Sequence, residues 1–225
     1  MKKISNRSSV TTSIAYNYME AKREVIERGF YSEIDWQEEL VFEDITESDF
    51  IREAAWVILS SGMRETVIRG KFREISNAFY NWDSAKTIYF NQSYCMKKSL
   101  RAFNSSRKIE AIIQLASMVY CEGFDKVKRR LLEAEISYIK EFPFMGPATS
   151  YHLAKNLGLP VAKPDRHLCR LAEATGFQSP IELCSEIARM IGEKISVVDI
   201  VLWRFATIHK NYLDFFINEG YNLEV

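Results

Sequence analysis

Proline is absent from the first 142 residues, and all five prolines fall between Pro143 and Pro180. Proline supplies no backbone N–H and disfavours helix at the residue before it. The proline-free part is therefore open to uninterrupted helices, and sharp turning is confined to one stretch. Long apolar runs are also missing. None approaches the roughly 18 residues of a membrane span, so no membrane partner is expected. The start, MKKISNRSSVTTS, has a basic end with no apolar core behind it, which argues against a secretion signal. The four cysteines, Cys95, Cys121, Cys169 and Cys184, lie far apart and form no CxxC. That excludes a disulfide framework and predicts reduced thiols in the cytoplasm. His152, His167 and His209 lack metal-ligand spacing, so no metal is expected. No Gly/Ser-rich linker, internal repeat or sustained strand alternation occurs.

Net charge is lacking too, at a formal value of zero. This weighs against a strong nonspecific polyanion binder, yet the charges are segregated. Tyr31 to Glu53 holds nine acids and one base, Arg52, whereas Lys97 to Lys108 holds five bases and no acid. Lys126, Lys128, Arg129 and Arg130 follow. Local potential decides where a polyanion docks, so a neutral chain can still carry a basic face. Solvated helix surface is the plainer account of each cluster.

What is present is helical pattern. Thr11 to Ser13 can cap a helix running to about Arg28, with Gly29 as its stop. Thr46 and Ser48 can cap the next, where Phe50, Ile51, Ala54, Ala55, Val57 and Ile58 keep helical spacing up to Gly62. Arg64 to Tyr80 and Ile109 to Val119 repeat that pattern. Asp125 starts another helix, and Ile136 to Lys140 reads as a short one. Ser179 followed by Pro180 is a cap with proline at the first helical position. Ser196 with Asp199 is a variant capping box for the last strong helix, Val197 to about Lys210. The fold class expected is all-α, with roughly ten short helices.

The stretch from Phe142 to Arg170 holds four of the five prolines. A short helix ends before Phe142, and Pro143, Gly146 and Pro147 force a tight turn. Pro147 can then start a second helix, stopped at Gly158. Amides at such a helix start point outward unpaired and suit the phosphates of a nucleic-acid backbone. An ordinary αα-corner has the same features. Farther on, Pro164 biases Lys163 away from helix, and Asp165 sits where the next helix begins. An aspartate there is a favoured cap. It also interacts favourably with the helix dipole, which suits it to stabilising a cation or orienting a water.

This segment resembles the helix-hairpin-helix DNA glycosylases, the superfamily of endonuclease III, the adenine glycosylases and the alkylpurine glycosylases. Phe142-Pro143-Phe144-Met145-Gly146 is similar to that family's L-P-G-V-G hairpin, and Pro147-Ala148-Thr149-Ser150 to its helix start. Pro164-Asp165-Arg166-His167 is similar to its catalytic aspartate segment, with Asp165 nineteen residues after Gly146. Upstream, Ala54 to Ser61 resembles the early helix ending in L-L-S, and Arg107-Lys108 with Ile109 to Ala116 resembles N/R-K-A-x-x-I.

The resemblance implies two helical lobes with the active-site cleft between them. One lobe is 46–160, ending in the hairpin, and the other is 1–45 plus 161–225. It implies a monomer in the cytoplasm, on the nucleoid when bound to double-stranded DNA, that excises a base in DNA repair or attacks foreign modified DNA. Asp165 would be catalytic. Met145, Gly146 and Ala148 would offer amides, and Thr149 a hydroxyl, to the DNA backbone. Lys163 and Arg166 would contact phosphates. Met63 and Arg64 would fill the gap left by the flipped base, where the family's usual glutamine is missing. Where strand-cutting members carry a lysine, this chain has Ala148, so base release without lyase action is expected. Phe144 replaces the hairpin's first glycine. No closely spaced cysteines follow the hairpin, so no iron–sulfur cluster is expected. A monovalent cation at the hairpin is the one cofactor the resemblance leaves room for. Alkylated, oxidised, mispaired, deaminated and phage-modified bases all remain open as substrates. Two other readings stand beside it: a noncatalytic hairpin module that grips DNA backbone, and an all-α interaction protein without nucleic acid.

Overall fold

The computed structural model describes residues 2–217, with side chains from Thr12 onward, and every regular element among them is helical. There are thirteen α-helices among the described residues, with short 3-10 and π turns between some of them. The chain divides into two compact units, Met1–Leu40 with Gly158–Val225, and Val41–Leu157. Met1 and residues 218–225, which fall in the lobe expected from the chain ends, lie outside the described residues.

The first unit holds α1 (Lys2–Val25), α2 (Tyr31–Glu39), α10 (Arg166–Ala174), α11 (Pro180–Ile191), α12 (Ile195–Ile208) and α13 (Tyr212–Ile217). Its axis is α12, which packs against α1, α2, α10 and α11. Val197, Val198, Val201, Leu202 and Phe205 on α12 are buried. Ile14, Tyr18, Ala21 and Val25 meet this core from α1 at the three- and four-residue spacing of one helix face. Each large side chain so buried contributes about 1.5–3 kcal/mol. The helix expected to begin at Thr11 is already under way by Lys2. Gly29 breaks it as expected, in the left-handed region at φ 88° that glycine enters without steric cost. Ser179 caps α11 through the Glu182 amide, with Pro180 in first position.

The second unit holds α3 (Glu47–Ser60), α4 (Glu65–Ala78), α5 (Ala85–Phe90), α6 (Gln92–Ala102), α7 (Ser106–Glu122), α8 (Phe124–Ile139) and α9 (Pro147–Asn156). Its centre is α3, buried along Ile51, Ala54, Ala55 and Ile58, against α7, buried along Ile109, Ile112, Leu115 and Ala116. Thr46 and Asp49 form a reciprocal capping box at the start of α3. Its far end is closed by Lys108 of α7. That ammonium is buried and donates to the carbonyls of Leu59 and Ser61, both at 2.6 Å. Burial lowers its pKa from the ordinary lysine value. The helices expected on either side of residue 135 are one helix, α8, kinked at Glu135, whose φ is 38°.

Candidate functional site

The hairpin leads from α8 to α9. Phe142 and Met145 are buried, so the turn is anchored through its side chains. Phe144 has φ 64°. That is the left-handed conformation glycine adopts freely and other residues adopt at a cost. The backbone at Phe144 thus takes a glycine-like shape. The Phe144 ring lies on the outside, with the Arg107 guanidinium 5.9 Å from its centroid. The amides of Met145 and Gly146, expected to meet the DNA backbone, are engaged within the turn. Met145 N donates to Phe142 O and Gly146 N to Phe144 O, each at 3.2 Å. Thr149 is also occupied, since its hydroxyl has Phe144 O at 2.9 Å and Gly146 O at 3.2 Å as acceptors. The hydroxyl oxygen can still accept. The amides left without an acceptor among the described residues are those of Ala148 and Thr149, in the first turn of α9. Ala148 itself is exposed, and its methyl group carries no nucleophile.

Asp165 is the N-cap of α10, with the extended φ and ψ of −86° and 170° usual for a cap. Its Oδ1 accepts from His167 N and Leu168 N, both at 2.9 Å. Its Oδ2 accepts no hydrogen bond from the described residues. The side chain is half-buried. Burial and the nearby Asp165 charge both push the Cys169 thiol up. The backbone before the cap is tightly turned, with Asp165 N donating to Lys163 O at 2.8 Å. His167 braces the segment from the other side. Its ring meets Tyr212 edge to face at 5.6 Å, and its carbonyl accepts from the Tyr212 hydroxyl at 3.3 Å.

The remaining predicted residues fall as follows. Met63 and Arg64 lie exposed in the turn between α3 and α4, where Gly62 has φ 68° and Met63 N donates to Ser60 O. Arg166 is exposed at the first position of α10, its Nε 3.3 Å from His167 Nε2. Lys163 is half-buried, and its amide is taken by the carboxylate of Asp199 at 2.6 Å. Sequence spacing put Asp199 in a capping box with Ser196. The structure corrects this, since α12 starts at Ile195 and Lys194, its N-cap residue, makes no side-chain cap.

The two basic clusters separate in kind. In the second, Lys128 holds the carbonyls of Glu43 and Ile45, and Arg130 is paired with Glu122 and Glu141. These are structural ties, and Lys126 pairs with Glu122, whereas Arg129 is exposed with no acid partner among the described residues. In the first, Lys108 is buried in its own structural role, whereas Lys97, Lys98, Arg101 and Arg107 are exposed and pair with no acid among the described residues. Several acids of Tyr31 to Glu53 are engaged within their own unit. Glu33 pairs with Arg204, Glu38 with Lys22, Asp49 with Arg52, and Glu53 accepts from Asn156.

No family model matches the chain, and neither does any curated protein or solved structure. A functional reading therefore stands on these residues and on the motif resemblance. Sequence reasoning missed Asp199 as a partner of the aspartate loop and Lys108 as a helix cap. Asp199 sits 34 positions from Asp165, and no local pattern connects them. Lys108 had a signal, a lysine opening an otherwise apolar helix face.

Proposed function

We propose that this protein is a monofunctional DNA N-glycosylase of the helix-hairpin-helix type, acting as a monomer on double-stranded DNA. In this reading the hairpin turn and the first amides of α9 grip the backbone, helped by the exposed bases of α6 and by Arg107. The target nucleotide is turned out of the stack, and the bond between C1′ and the base nitrogen breaks. Its electron pair leaves with the base, which takes up a proton. The sugar is left with oxocarbenium character. Asp165 stabilises that charge and directs a water, whose oxygen bonds to C1′ as its proton departs. The product is an abasic site. The Ala148 side chain has no amine, so no Schiff base forms at that position.

The observation that carries this reading is the state of Asp165. One oxygen is held by two amides, which fixes the side chain, and the other oxygen accepts nothing from the described residues. A carboxylate serving only as a cap would leave the same geometry, so turnover decides. Purified protein is screened against duplexes bearing alkylated, oxidised, deaminated and mispaired bases, and against modified phage DNA. Abasic sites are read by alkali cleavage. Wild type is expected to release a base, and Asp165→Asn to keep DNA affinity while losing at least about 100-fold in single-turnover rate. Borohydride is expected to trap no adduct. An Asn variant with wild-type turnover would sink the assignment. DNA binding without turnover on any substrate would favour the noncatalytic module.

A further inference from the structure

A second carboxylate holds the segment that leads to Asp165. Asp199 is 1% exposed on α12, among the buried Val197, Val198, Val201 and Leu202. A buried carboxylate is costly to desolvate and persists where hydrogen bonds hold it. One such bond runs from Lys163 N to Asp199 Oδ2 at 2.6 Å, short as charge-assisted bonds are. We propose that Asp199 is the positioning residue of the Asp165 loop: its buried carboxylate pins the Lys163 amide and thereby fixes where Asp165 presents its free oxygen.

The connection is short and stiff. Lys163 and Asp165 are separated only by Pro164, whose ring fixes φ and which has no N–H to bond elsewhere. Lys163 O accepts from Asp165 N at 2.8 Å, so both polar groups of the Lys163 backbone are engaged. Two residues later Asp165 Oδ1 is gripped by the amides of His167 and Leu168. The loop is thus held at Asp199 before the cap and by α10 after it. Helix α12 packs against four helices of its unit, α1, α2, α10 and α11, so the Asp199 carboxylate is a fixed reference. Stabilisation of a developing cation depends on where the carboxylate sits, and a displacement of about 1 Å costs on the order of 100-fold in rate. The role assigned to Asp199 rests on the glycosylase reading; the clamp itself does not.

The test compares Asp199→Ala with Asp199→Asn, which keeps an acceptor oxygen without the charge. Amide hydrogen exchange at Lys163 reads the clamp with no substrate present. Ala is expected to speed that exchange by at least about tenfold, with Asn between Ala and wild type. In single-turnover excision, Ala is expected to lose about 100-fold and Asn to recover most of it, while affinity for uncleaved duplex stays within about threefold. A loss of affinity matching the loss of rate, or an Asn variant no better than Ala, would make Asp199 a folding residue only. Unchanged exchange at Lys163 in the Ala variant would overturn the clamp. Should Ala fail to fold, the near-isosteric Asp199→Leu, which also removes the acceptor, replaces it in both readouts, and unaltered exchange in it overturns the proposal equally. Wild type inactive on every substrate overturns the glycosylase reading, and the exchange result then stands alone as a statement about the loop.

Discussion

At the scale of single residues, the hairpin separates what folding demands from what it leaves open. Gly146 has φ −80° and ψ −175°, a region open to any residue. A Cβ there would meet only Thr149 Oγ1, at an ordinary 3.9 Å. Neither strain nor space requires glycine. Its bareness does leave the approach to the amides of Ala148 and Thr149 uncovered. Gly146→Ala is therefore expected to fold at least as well as wild type, with a gain of about 0.4–1 kcal/mol from the stiffer unfolded chain. DNA affinity is expected to fall, because the methyl group stands beside the amides proposed to bind phosphate. Urea unfolding and fluorescence anisotropy with a short duplex measure the two. Unchanged affinity would mean the backbone docks elsewhere. Phe144 is the inverse case. The resemblance marked Phe144 as standing where the family has glycine, but not its left-handed backbone, a conformation held between the buried anchors Phe142 and Met145.

At the scale of elements, the hairpin's position depends on how α8 is fastened. Glu122, at the end of α7, accepts from the Tyr138 hydroxyl at 2.9 Å and from Arg130 Nη1 at 3.1 Å. The same guanidinium bonds Glu141 and lies 3.9 Å from the centroid of the Tyr138 ring. Burial alone would raise the Glu122 pKa, but the Tyr138 and Arg130 hydrogen bonds outweigh it and hold the carboxyl below its ordinary 4.5. A lowered native value means the unfolded chain binds more protons in that range. The clamp's contribution is then full above the unfolded value and lost as pH falls through the native one. Glu122→Gln is expected to destabilise the protein at pH 7, and the deficit should shrink toward zero as pH drops below the ordinary 4.5 and through the lowered native value. Urea midpoints for both proteins across pH 3–7 test this; a deficit independent of pH would assign the loss to packing. Much at this scale was legible in the sequence. The apolar faces of α3 and α7 and the cap of α11 follow from spacing and cap chemistry. The start of α1 was not legible, because a helix already running needs no cap at Thr11. The Ser196–Asp199 pattern misled because a buried partner in the loop before α10 outcompeted the local one.

For the molecule as a whole, the question is how a chain of zero formal charge would hold a polyanion. Counting sequence charges suggested two basic clusters; among the described residues the first, apart from Lys108, is exposed and untied, whereas in the second only Arg129 is. Which bases are tied down depends on carbonyls brought near by folding, as with Lys128 and the distant Glu43 and Ile45, so sequence could not sort them. If local potential governs docking, removing Lys97, Lys98 and Arg101 should weaken DNA binding far more than removing three exposed bases elsewhere. Arg23, Arg189 and Lys210 provide a control with the same change in net charge. Every phosphate that a variant no longer neutralises flattens the plot of log K against log salt by about 0.9. The α6 triple alanine variant is therefore expected to lose affinity at 50 mM salt and to show a shallower slope, while the control stays near wild type. Equal losses in both would show that net charge alone is at work. No loss in either, together with a Gly146→Ala variant that binds normally, would remove both supports for DNA docking and favour the reading in which this helical protein engages no nucleic acid.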